Sequence, residues 1–172
     1  MKYVAFLRGI NVGGHKLIKM DELTSIFSSF GLKNVKTLLQ SGNVIFEVPT
    51  SSTLVKKIES GLLKSLGYEV KVILRSIDEI EAMIALDPFK QYEASKDTKL
   101  YVTLLPEAPS AMPKLPYVSE KEGFEIIQIE GGEIYTVTHR LKSDTFGSLA
   151  YIEKTFGKYS TTRNWNTILK LV

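Results

Sequence analysis

The sequence predicts an α+β fold: a ferredoxin-like split βαβ unit in the N-terminal half, followed by a second, irregular α+β half. Three observations point there. Apolar residues alternate between strand and helix periods in the order β-α-β-β-α-β over residues 1–75. Hydrophobic residues make up 44% of the 172-residue chain and charged residues 24%, the balance of a chain with a true core. Glycine, serine and asparagine fall between the periodic segments, where turns are required.

The elements follow in order. Tyr3 to Arg8 is apolar on both faces, which predicts a central strand covered on both sides. Met20, Leu23, Ile26, Phe27 and Phe30 recur at helical spacing, and Gly31 suits the residue just past a helix end. Val35–Leu39 and Asn43–Val48 are strands joined by a tight turn at Gln40-Ser41-Gly42. Ser51 or Ser52 is expected to cap a helix with the face Leu54, Ile58, Leu62 and Leu66, ended by Gly67. A strand is expected from Tyr68 to Arg75.

In the second half, Ser76 and Glu79 have capping-box spacing ahead of a helix limited by Pro88. Thr98–Leu105 reads as a strand. Residues 106–123 hold four of the six prolines and read as a long irregular connection. Gly131-Gly132 joins the strands Phe124–Glu130 and Glu133–Thr138 as a hairpin. Leu149, Ile152 and Phe156 mark a helix ending at Gly157, and Trp165, Ile168, Leu169 and Val172 one that runs to the end of the chain. The expected division is 1–75 as the ferredoxin-like subdomain and 76–172 as a second α+β subdomain with its C-terminal helix packing back.

Composition narrows the chemistry. With no cysteine there is no disulfide framework, thiolate metal site or cysteine nucleophile, and His15 and His139 alone make a zinc site unexpected. No metal or cofactor is implied. No apolar run approaches the ~18 residues needed to cross a bilayer, and the first eight residues read as a strand, not a signal peptide. A cytoplasmic protein with no membrane partner is the expectation. The net charge of +3 is unevenly spread: residues 1–43 and 138–172 carry +4 each, and 44–137 carry −5. If the two ends meet, they form a basic surface that attracts anions; ordinary surface lysine is the plainer account.

Three polar stretches stand out. Arg8-Gly-Ile-Asn-Val-Gly-Gly14 follows the first strand; its glycines could let backbone N–H groups approach a phosphate, or simply supply positive φ at Gly13 or Gly14. Its spacing is that of neither a dinucleotide nor a P-loop motif. Gln40-Ser-Gly-Asn43 is a hairpin turn that the split βαβ topology places at the same sheet end as Arg8 and Gly9, clustering Arg8, Asn11, Gln40, Ser41 and Asn43. Thr161-Thr-Arg-Asn-Trp-Asn-Thr167 surrounds the only tryptophan; Trp165 itself fits a buried helix face. The chain has eighteen lysines and four arginines, so Arg8 and Arg163 hint at bidentate recognition of carboxylate or phosphate, against an internal salt bridge as the structural alternative. A Ser143–His139–Asp144 trio is too local in sequence to argue a catalytic triad.

Tyr3–Gly14, Met20-Asp-Glu-Leu23, Gln40–Phe46 and Thr161–Thr167 together resemble the family known as domain of unknown function 1697. Around 139–147 that resemblance implies a glycine- and serine-containing stretch, where this chain reads His139-Arg-Leu-Lys-Ser-Asp-Thr-Phe-Gly147. The resemblance implies a fold and motif positions but no activity.

The functional expectation is a binding protein with one anion site, for a nucleotide or nucleic-acid phosphate. Arg8 and Arg163 would hold the charge. Gly9, Gly13 and Gly14 would offer backbone N–H groups, and Asn11, Gln40, Ser41, Asn43 and Asn164 would orient the ligand. The alternatives are a small enzyme using the same pocket, with His15 moving the proton, and a protein-interaction module using the proline-rich 106–118.

Overall fold

The structure is a computed structural model that describes residues 1–49, 52–141 and 149–172. The chain divides into two compact units whose boundary falls after Ile80.

The first unit is built from β1 (Lys2–Leu7), α1 (Met20–Ser29), β2 (Lys33–Leu38), β3 (Asn43–Glu47), α2 (Leu54–Leu66) and β4 (Val72–Ser76), and it ends inside α3 (Ile77–Leu86). The sheet order is β2-β3-β1-β4 with every neighbouring pair antiparallel. This is the order and sense that β-α-β-β-α-β connections predict, with β1 in the interior. Ala5 and Leu7 of β1 and Val44 and Phe46 of β3 share one face with Leu23 and Phe27 of α1 and Ile58 and Leu62 of α2. Both helices therefore pack on the same face. Val4, Phe6 and Ile73 on the opposite face are also buried, as the two-sided apolar sequence of β1 requires.

Two local expectations change. The residue at the N-cap of α2 is Thr53, with no side-chain capping bond, in place of Ser51 or Ser52; Ser51 lies outside the described residues. The strand expected from Tyr68 begins at Val72. Glu59 of α2 takes the Val72 N–H at 3.0 Å, and the Lys71 carbonyl accepts from Arg8 N–H at 2.9 Å, one step beyond the Leu7–Val72 pair that ends the β1–β4 ladder. Gly67, at φ +78, ends α2 as expected. The capping box at α3 forms: Ser76 N–H donates to Glu79 Oε2 at 2.6 Å, and Glu79 N–H donates to Ser76 Oγ at 3.2 Å.

The second unit holds β5 (Thr98–Leu104), β6 (Tyr117–Ser119), β7 (Phe124–Glu130), β8 (Glu133–His139), α4 (Leu149–Phe156), β9 (Thr161–Asn164) and α5 (Trp165–Leu169). Its antiparallel sheet has the order β6-β7-β8-β5-β9. The hairpin at Gly131-Gly132 forms, with Glu130 opposite Glu133. Phe124, Ile126, Ile129 and Ile134 pack with Leu105 and with Ile152 of α4. Trp165 is buried edge-on against Phe89 and Tyr135, with ring centroids 5.2 and 6.1 Å away.

Two strands here depart from expectation. The connection 106–123 is not wholly irregular, because Tyr117–Ser119 pairs with β7 just after a cis Leu115–Pro116 bond. Thr161–Asn164 is an edge strand on β5 and not only a lead-in to a helix. Neither carries an apolar alternation, which is why no period-2 signal reveals it. The last helix is also shorter than expected and stops at Leu169.

Candidate functional site

At the end of β1 the chain leaves the sheet as a largely exposed strap, residues 8–19, pinned to the core by the buried Ile10 and Ile18, before α1 begins. Its backbone is unusual. Gly9, Asn11, Gly13, Gly14 and Lys16 all have positive φ, between +49° and +76°. No atom lies within 4 Å of where a Cβ would stand at Gly9 or Gly14, so conformation and not crowding requires glycine there. Val12 and His15 close a small bridge that turns the strap tip.

The strap is tied on both sides of the sheet end. On the β3 side, Asn11 Nδ2 donates to the Gln40 carbonyl at 2.9 Å and to the Ile18 carbonyl at 3.1 Å, while its Oδ1 accepts from Ile18 N–H at 2.8 Å. On the β4 side, Arg8 N–H donates to the Lys71 carbonyl, and Lys16 Nζ sits 4.9 Å from the centre of the Tyr68 ring. Strand spacing puts these two anchorages about 10 Å apart across β1.

The structure thus brings Asn11 to the Gln40 turn, and it sorts the candidate residues. Gln40 and Ser41 are exposed on that turn. Asn43 is fully buried, donating through Nδ2 to the Leu38 carbonyl and Ser41 Oγ, so it shapes the turn and presents no surface. Both N–H groups of the Asn11 amide are committed to carbonyls, so it positions the strap. Gly42, read from the sequence only as a turn residue, has a packing role as well: it sits at φ +76 and a Cβ there would stand 2.6 Å from Ile10 Cδ1, so only glycine lets the turn close over the root of the strap. The entry to α1 and its first turn also gain meaning. Leu17, Lys19, Asp21 and Glu22 line a cleft of about 790 Å³ with Asn11 and Gln40.

Arg163 and Asn164 belong to the second unit. Arg163, in β9, is 7% exposed, and Nη1 donates to Thr161 Oγ1 at 2.7 Å and to the Thr162 carbonyl at 3.0 Å. Burial lowers its guanidinium to about 10. The Asn164 side chain caps α5, accepting from Asn166 N–H at 3.0 Å. The other two arginines have structural settings: Arg75 is buried with Nη1 on the Leu74 carbonyl, and Arg140 lies 3.6 Å from Asp97. His139 Nε2 lies 3.4 Å from Glu125 Oε1 beside a groove of about 350 Å³ in the second unit. Ser143 and Asp144, and residues 142–147 of the divergent stretch, lie outside the described residues. Among the described residues no group of three His, Asp or Glu is placed to hold a metal, and no helix is long and apolar enough to cross a membrane.

These features define a two-unit α+β protein with a basic, glycine-rich strap at one sheet end. Residues 1–135 match the family described as Protein of unknown function (DUF1697), and the chain belongs to that family. It is similar in fold to the conserved bacterial protein SP0830 from Streptococcus pneumoniae, with 19% sequence identity, a TM-score of 0.67, and coverage of 99% of this chain and 96% of that one. No curated protein matches the chain.

Proposed function

We propose that this is a cytoplasmic binding protein whose first unit, read as a ferredoxin-like split βαβ unit, carries an anion site on the strap 8–19. One observation carries the reading: twelve residues hold Arg8, Lys16 and Lys19 with no carboxylate, and five of them have left-handed backbone. Left-handed residues interspersed with residues of the opposite hand turn successive backbone N–H groups toward one side, and these form concavities suited to anions. Arg8 supplies the fixed charge and the Gly13–Gly14 segment the backbone donors. A phosphate compound, either a nucleotide or a nucleic-acid backbone, fits this donor set.

Calorimetric titration with inorganic phosphate, nucleotides and short duplex oligonucleotides at two salt concentrations tests it. Binding at low salt is expected. For the duplex, log K should fall with log salt at a slope of about −2 if two phosphates are neutralised. Absence of binding by every compound at low salt would sink the anion reading.

A further inference from the structure

The strap's second anchorage points to the kind of phosphate compound. Lys16 Nζ lies over the Tyr68 ring at 4.9 Å, and Tyr68 is half-buried, packed against the core of the first unit. Lys16 itself is exposed and held at φ +49. An ammonium over a ring at an exposed position is weakly held and readily exchanged. On the other side of the strap, the cleft at Gln40 is lined by Asp21 and Glu22 as well as Lys19, so two carboxylates disfavour a phosphate there. On the β4 side Glu59 is paired with Lys71 at 3.3 Å and Glu69 is exposed to solvent, so the anion is placed beside Arg8 and Lys16.

We infer that the ligand is a nucleotide whose base stacks on the Tyr68 face that Lys16 now covers, while the Lys16 ammonium turns to the phosphate beside Arg8. This rests on the anion site proposed above. The exchange leaves neither partner unpaired, because the ring trades a cation for a base and the ammonium trades a ring for a phosphate. Any base has a π face, so the site discriminates base from no base more strongly than one base from another. Arg8 N–H is bonded to the carbonyl of Lys71, three residues beyond Tyr68, so the ring and the root of the strap lie at the same edge of the sheet end.

The test compares a nucleoside 5′-monophosphate with ribose 5-phosphate by calorimetry on the whole chain, in wild type, Tyr68→Phe, Tyr68→Leu and Lys16→Met. The nucleotide should bind wild type and Tyr68→Phe about tenfold or more tightly than the sugar phosphate. Tyr68→Leu should lose that preference and keep its ribose 5-phosphate affinity. Lys16→Met should weaken both compounds and keep the preference. Equal affinities of the two compounds for wild type would overturn the inference and leave the anion site standing, and the wild-type comparison needs no variant to fold. A preference that survives Tyr68→Leu would also overturn it. Failure of both compounds to bind would remove the anion site and this inference together.

Discussion

Asn11 and Gln40, twenty-nine residues apart, are joined by a 2.9 Å bond from the Asn11 carboxamide to the Gln40 carbonyl, and the same carboxamide closes a second pair of bonds on Ile18. One side chain thus fixes the root of the strap, its return toward α1 and the β2–β3 turn. Asn11 suits this role twice over, because asparagine also tolerates the left-handed backbone at φ +52 better than other residues with a Cβ.

Asn11→Ala should destabilise the protein by about 2 kcal/mol, the sum of partly solvated hydrogen bonds and a left-handed alanine. Asn11→Gly should cost less, because it relieves the backbone strain and loses only the bonds. Urea denaturation of both variants measures this. An alanine variant as stable as wild type would show that the clamp contributes nothing to the fold.

Trp165→Ala should cost about 3–5 kcal/mol through loss of its edge contacts with Phe89 and Tyr135 and the cavity left behind. Chemical denaturation followed by circular dichroism reads it. An unchanged midpoint would mean that the indole is not part of the core of the second unit.

The capping box at α3 should be worth about 1 kcal/mol for Ser76→Ala, and Ser76→Ala combined with Glu79→Ala should cost less than the sum of the two single changes, because the two residues bond each other reciprocally. A double-mutant cycle gives the coupling directly, and strict additivity would argue that the pair acts independently.

The buried Arg163 gives a pH signature. Its folded-state value, about 10, lies below the ordinary 12.5, so between those values the unfolded chain holds the proton that the folded chain has released. The contribution of Arg163 to stability should therefore be constant below about pH 9 and rise with pH above it. Thermal melts of wild type and Arg163→Gln from pH 7 to 11 measure the difference. A gap between the two that stays flat to pH 11 would show the guanidinium to be solvated, with no shift from its ordinary value.

Affinity measurements on Arg8→Ala and Arg163→Ala separate the roles of the two arginines. Arg8→Ala should lower affinity for phosphate compounds at least tenfold, in line with loss of a charge-assisted bond. An equal loss in Arg163→Ala would tie that residue to the same ligand, and unchanged affinity would confine recognition to the strap. Unchanged affinity in Arg8→Ala would refute its part in the site.

By itself the sequence determined the α+β class and the order of the first-unit sheet, because there the apolar periods are clean: β1 is apolar on both faces, and α1 and α2 each bury one regular stripe. It also determined the capping box at Ser76, the Gly131-Gly132 hairpin and the burial of Trp165, since each is a local rule written in adjacent residues. Tertiary structure alone decided the rest. Thr161–Asn164 is a strand because β5 offers it an edge, not because its polar residues favour one. Asn43 is withdrawn into the turn and Asn11 is spent on carbonyls, whereas Lys16, Tyr68 and Gly42 acquire their roles from neighbours many residues away. The reason is physical: propensity and period act over a few residues, while the partner of a polar side chain is set by which chain segments the sheet brings to the same end.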